Sequence, residues 1–227
     1  MRSRIFSLIF SIRLMGLLLS ALALWVFAQI ADEVLEQETQ RFDKSILLAI
    51  RQMHTPIGNH MMLGITFLGE PIFLLLICLG IAIRLLYYRH RSQATTLGIA
   101  AVGAISLNYL LKVLFGRARP QLWNRIVDVG QYSFPSGHAM ISLVIYGFIG
   151  YLIAKRYHRW RAWIFTFTII LIIAIGFSRL YLGVHWPTDV IAGYAAGVVW
   201  LMTCILSLEM WRIYRTSGRR STSNERN

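Results

Sequence analysis

Apolar residues run along this chain in six long blocks, roughly 8–30, 59–83, 94–115, 135–154, 162–178 and 188–208, separated by short polar or basic interruptions. Crossing the hydrocarbon core of a bilayer takes about 20 mostly apolar residues. The pattern therefore predicts an all-α polytopic membrane protein with six transmembrane helices. Little chain remains between the blocks, which predicts one membrane-embedded domain over residues 1–227 with no separate soluble module. Small residues near Ala28 and Ala31 could mark a signal-peptide cleavage site, but the length of the first block favours an uncleaved anchor. Between the first two blocks, residues 31–58 carry Val34, Leu35, Phe42, Ile46, Leu47, Ile50 and Met53 at near-helical spacing among charges. Two accounts fit that segment: an amphipathic helix in the outer interface, or a solvated connector. Glu70-Pro71 falls inside the second block. A carboxylate there is a functional candidate, and a kink or a position near the outer end of the span accounts for it as well.

Composition agrees with this class: 56% of residues are hydrophobic and the mean hydropathy is +0.57. The net charge of +13 raises the question of nucleic acid, and its distribution answers it. Arg2, Arg4 and Arg13 precede the first block, Arg84, Arg89 and Arg91 follow the second, and Lys155, Arg156, Arg159 and Arg161 fill the link between the fourth and fifth. Arg212, Arg215, Arg219, Arg220 and Arg226 belong to a basic tail over residues 211–227. With six spans these clusters share one side, which the positive-inside rule makes cytoplasmic; 15 of the 23 Lys and Arg residues are then accounted for as orientation signals, not as a nucleic-acid surface. Both termini are expected in the cytoplasm. Cys78 and Cys204 lie in apolar runs and suggest neither a disulfide framework nor a metal cluster.

Three polar clusters interrupt the apolar pattern: KVLFGRARP (residues 112–120), PSGH (135–138) and SRLYLGVHWPTD (178–189). The topology brings all three to the outer ends of helices on one face. Lys112, Arg119 and Arg179 supply three cations with no matching acids, and burying them unpaired beside a bilayer is costly. An anion resolves that, and the paired N–H donors of arginine suit phosphate oxygens. Ser136 is placed to cap the helix that follows it, and Gly137 to let the backbone approach a ligand at a helix N-terminus. Pro187 favours the first turn of a helix, so Asp189 reaches back to His185 and fixes its tautomer, making the other ring nitrogen the better nucleophile or base. His138 is free to act as general acid and then base. Arg117 and Arg125 fit lipid-headgroup anchors.

Together these residues resemble the signature of the type 2 phosphatidic acid phosphatase family: Lys, six residues, Arg-Pro; then Pro-Ser-Gly-His; then Ser-Arg, five residues, His, three residues, Asp. Lys112, Arg119, Pro120, Pro135, Ser136, Gly137, His138, Ser178, Arg179, His185 and Asp189 occupy every fixed position, over residues 112–189. The resemblance implies the helical-bundle core shared with acid phosphatases and vanadium haloperoxidases. It implies a phosphohistidine on His185, with Asp189 orienting that ring, His138 protonating the leaving oxygen, and Lys112, Arg119, Arg179, Ser136 and Gly137 holding phosphate. No carboxylate cluster offers itself to a metal at this face, so chemistry without metal or cofactor is expected. The expected partner is a lipid phosphate in the membrane: phosphatidic acid, phosphatidylglycerol phosphate, undecaprenyl pyrophosphate or a lipid A phosphate. Phosphotransfer to a second lipid, and a non-catalytic binder or transporter of anionic lipid, are the alternatives.

Overall fold

The computed structural model describes residues 2–123, 127 and 130–224, with side chains described from residue 13 to residue 214 within those ranges. Among the described residues eight α-helices follow in order: α1 (Arg2–Leu35), α2 (Gln40–Arg51), α3 (Pro56–Phe67), α4 (Pro71–Tyr87), α5 (Arg91–Phe115), α6 (Gly137–Arg156), α7 (Arg161–Tyr181) and α8 (Pro187–Asn224), with one 3₁₀ turn at His158–Trp160. Five of them contain stretches long and apolar enough to cross a membrane, and α3 with α4 makes a sixth when taken as one broken span.

The break is where the structure departs from six uninterrupted blocks. The apolar run 59–83 is split at Leu68–Glu70, and its halves are bent by 44°. Pro71 has no N–H to continue α3 and is pre-set for the first turn of α4. The hydroxyl of Tyr146 donates to the Leu68 carbonyl at 2.7 Å and ties the freed backbone to α6. Residues 40–51, left open between a helix and a connector, form α2. Its buried face, Asp43, Leu47 and Ile50, turns toward the protein, with contacts to α7 and α8.

The core lies where α4, α5, α6 and α8 meet, around Leu74, Leu97, Val144, Phe148 and Leu201. α1 packs along α8 at the edge of this bundle. Small residues draw the central helices together: a side chain at Gly193 of α8 would come within 2.7 Å of the Ser136 carbonyl at the start of α6. The N-termini of α6 and α8 and the C-termini of α5 and α7 therefore gather at one end. Gly116, in the left-handed region at φ 55°, stops α5 there and turns the chain into the loop carrying Arg117 and Arg119. A groove of about 660 Å³ between the other halves of α6 and α7, lined by Trp160, Trp163 and Phe167, is apolar and offers no acid or cation.

Candidate active site

His185 sits in the short link between α7 and α8, 1% exposed. Its Nδ1 lies 3.3 Å from Asp189 Oδ2, one turn into α8. Arg119 Nη1 lies 3.2 Å from Nε2 of the same ring. Arginine only donates, so Nε2 is the unprotonated nitrogen and Nδ1 carries the proton toward Asp189. That tautomer presents the Nε2 lone pair to the cluster of cations. Burial above all, and then Arg119, Arg179 and Lys112, hold His185 well below the usual imidazole range. It is thus a neutral base at neutral pH.

Asp189 is held from several sides. Its Oδ2 also accepts from the Trp186 N–H at 2.8 Å, and its Oδ1 accepts from Arg117 Nη1 at 2.7 Å. Arg117 is shared. Its Nη2 donates to Asp43 Oδ2 at 2.7 Å and to Thr39 Oγ1 at 2.8 Å, and Nη1 also reaches Thr188 Oγ1 at 2.8 Å. Asp43 in turn accepts from the Thr188 N–H at 3.0 Å and from its hydroxyl at 2.7 Å, satisfying a donor in the first turn of α8. Both carboxylates are fully buried.

Around the unprotonated nitrogen of His185 the donors are built but not all used. Arg119 is fixed by the carbonyls of Gly130 and Val184. Arg179 donates from Nη1 to Thr66 Oγ1 at 2.6 Å, while its Nε is buried with no partner among the described residues. The Ser136 hydroxyl is likewise buried and unpartnered, although its backbone N–H donates to the Asp189 carbonyl at 2.9 Å. A buried, unmatched donor costs about 1–3 kcal/mol, and the oxygens of a phosphate would satisfy both. His138, at the start of α6, has Nε2 3.0 Å from Glu70 Oε2 at the α3–α4 break. The Glu70 side chain is 48% exposed, against 13% for His138.

The sequence profile of the PAP2 superfamily matches residues 93–213. The chain belongs to the PAP2 superfamily. It is 30% identical to phosphatidylglycerophosphatase B of Bacillus subtilis over 176 residues, 76% of this chain and 86% of that one. It is 35% identical to an undecaprenyl-diphosphatase of Sulfolobus acidocaldarius over 123 residues, 51% of this chain and 55% of the relative. Its fold matches the crystal structure of the transmembrane PAP2-type phosphatidylglycerolphosphate phosphatase from Bacillus subtilis with a TM-score of 0.79 at 27% identity, covering 84% of this chain and 96% of that one.

The PAP2 signature residues Arg119, Ser136, Gly137, His138, Arg179, His185 and Asp189 all lie at this end of the bundle, with Lys112 in the last turn of α5 close enough to act on the His185 ring. At Gly137 an added side-chain carbon would lie 2.9 Å from Asn108 Oδ1, so the close packing of α5 on α6 leaves no room for a side chain there. Two expectations need correction. Ser136 stands at the N-cap of α6 but makes no side-chain cap bond; its hydroxyl is buried without a partner. Arg117 is no headgroup anchor: it is paired with two buried acids, a placement that needs residues far apart in the chain. Arg125 and Arg226 lie outside the described residues.

Four contributors come from outside the matched PAP2 segment: Thr39, Asp43, Thr66 and Glu70. Asp43 carried a readable signal. It stands four residues before Leu47 and seven before Ile50, an acid on the apolar face of α2. Thr66 carried none.

Proposed function

We propose that this protein is an integral membrane phosphatase that removes phosphate from lipid monoesters or pyrophosphates through a phosphohistidine. One observation carries the reading: a buried, neutral His185 directs its Nε2 lone pair into a cluster of cations and unpartnered donors. Nε2 attacks phosphorus while Arg119, Arg179, Lys112 and Ser136 take up the charge on the phosphoryl oxygens. The bond from phosphorus to the lipid oxygen breaks, and His138 gives that oxygen a proton. His138 then takes a proton from water, which attacks phosphorus and returns His185 with release of inorganic phosphate. Catalysis here is positioning and charge stabilisation, and fixed cations supply it without a metal.

Likeness over most of both chains to phosphatidylglycerophosphatase B supports phosphatidylglycerol phosphate as substrate, ahead of undecaprenyl pyrophosphate and phosphatidic acid. The basic clusters at Arg84–Arg91, Lys155–Arg161 and Arg212 occupy the helix ends remote from the site. That supports cytoplasmic termini, a site on the extracytoplasmic face and a bacterial inner membrane.

The test is phosphate release by purified protein in mixed micelles with chelator present, comparing the three lipids and using His185→Ala as control. Turnover that survives chelator and vanishes in the variant is expected. Loss with chelator and recovery with Mg²⁺, or turnover retained by His185→Ala, overturns the mechanism. Phosphate passed to an added lipid alcohol, with none released, would make the enzyme a transferase.

A further inference from the structure

His185 lies between two charge clusters of opposite sign. Arg119, in the loop after α5, faces its Nε2; Lys112 of α5, Arg179 of α7 and His138 of α6, the partner of Glu70, are close enough to act on the ring. On its Nδ1 side are Asp189 of α8, Arg117 and Asp43 of α2, two carboxylates sharing one guanidinium. This second cluster carries an excess negative charge while buried. Such an arrangement is unfavourable unless something positive faces it, and in the resting structure His185 is neutral.

The reaction itself supplies the positive charge. When Nε2 bonds to phosphorus while Nδ1 keeps its proton, the ring becomes cationic. Were Arg117 paired with Asp189 alone, that couple would be neutral toward the ring. Because Asp43 claims the same guanidinium through Nη2, part of the Asp189 charge remains available. The geometry points to Asp43 and Arg117 as positioning residues that set how strongly Asp189 stabilises the phosphorylated ring of His185, and makes α2 an integral part of the catalytic apparatus. This rests on His185 being the nucleophile. Asp43 also grips the first turn of α8 through the N–H and hydroxyl of Thr188, so one side chain fixes both the charge and the place of the carboxylate.

The test compares Asp43→Asn, Arg117→Met and the double variant with wild type, His185→Ala and Asp43→Glu. Phosphate release from phosphatidylglycerol phosphate is measured across pH, with elution in detergent as the check on folding. Asp43→Asn removes a negative charge near His185, so the acidic limb of kcat/KM should move to lower pH by about one unit, and kcat should fall about 10–100-fold, as for partners that orient a ligating histidine. Arg117→Met removes a positive charge and should move the limb to higher pH. The double variant should bring the limb back toward wild type, and Asp43→Glu should recover part of the rate. If Arg117→Met does not fold, Asp43→Asn and Asp43→Glu decide. A dead His185→Ala with Asp43→Asn at wild-type rate, or with a lower rate and an unmoved limb, overturns the proposal but not the nucleophile. Activity retained by His185→Ala overturns both.

Discussion

The two ends of the helical bundle each hold a three-membered ion cluster, and they are built in opposite senses. At the site end one cation, Arg117, lies between two carboxylates, Asp43 and Asp189. At the far end one carboxylate, Glu209, lies between two cations, Lys155 and Arg212. The second cluster is wet: Lys155 and Glu209 side chains are 41% and 30% exposed, whereas both site-end acids are at 0%. Water screens an exposed ion pair until little of it remains. A buried cluster has no such relief, and each member depends on the others' geometry. The contrast teaches that a dry cluster can hold a reactive group in place, while a wet one mainly joins two helix ends, here α6 and α8.

Breaking the dry cluster at the carboxylate nearest His185 should have the largest effect. Asp189→Asn preserves shape but loses the charge facing Nδ1. Phosphoenzyme formation, followed by rapid quench, should slow by about 10²–10⁴-fold, as when other orienting carboxylates are replaced; near wild-type turnover would detach Asp189 from the reaction.

A smaller effect should appear without any mutation. In the proposed mechanism His185 must be neutral to attack. Burial and the neighbouring cations disfavour its charged form, so protonation is delayed to lower pH. The acidic limb that His185 governs in kcat/KM should therefore lie below the ordinary imidazole value of about 6.5, with activity falling only as pH drops through that lowered pKa. A limb at or above this value would mean that the cations do not act on the ring as placed.

Glu209→Gln sits at the bottom of the scale. Turnover should be unchanged, and stability against denaturant in detergent should shift by about 0.2–1 kcal/mol. A loss of activity would show that the wet cluster is coupled to the site.

Much of the site was legible in the chain because its residues lie within a few positions of helix ends. Pro187 starts α8, His185 and Asp189 stand four positions apart, and a helix converts that spacing into contact. The apolar blocks showed where helices lie for the same local reason. What escaped was tertiary. Arg117 alone suits a headgroup as well as a carboxylate, and only the arrival of α2 decides between them. The interruption at Leu68–Glu70 was hidden because Leu68 and Gly69 continue the apolar run. Its sign, Glu70-Pro71, fits a kink as readily as the hydrogen bond to His138 that the structure reveals.

The bond from Thr188 to Asp43 spans 145 residues. Helices α3 to α7 lie between the two residues in the chain, and all five must be packed before Thr188 can meet Asp43. The buried cluster of Asp43, Arg117 and Asp189 is therefore a contact that only the packed bundle can hold.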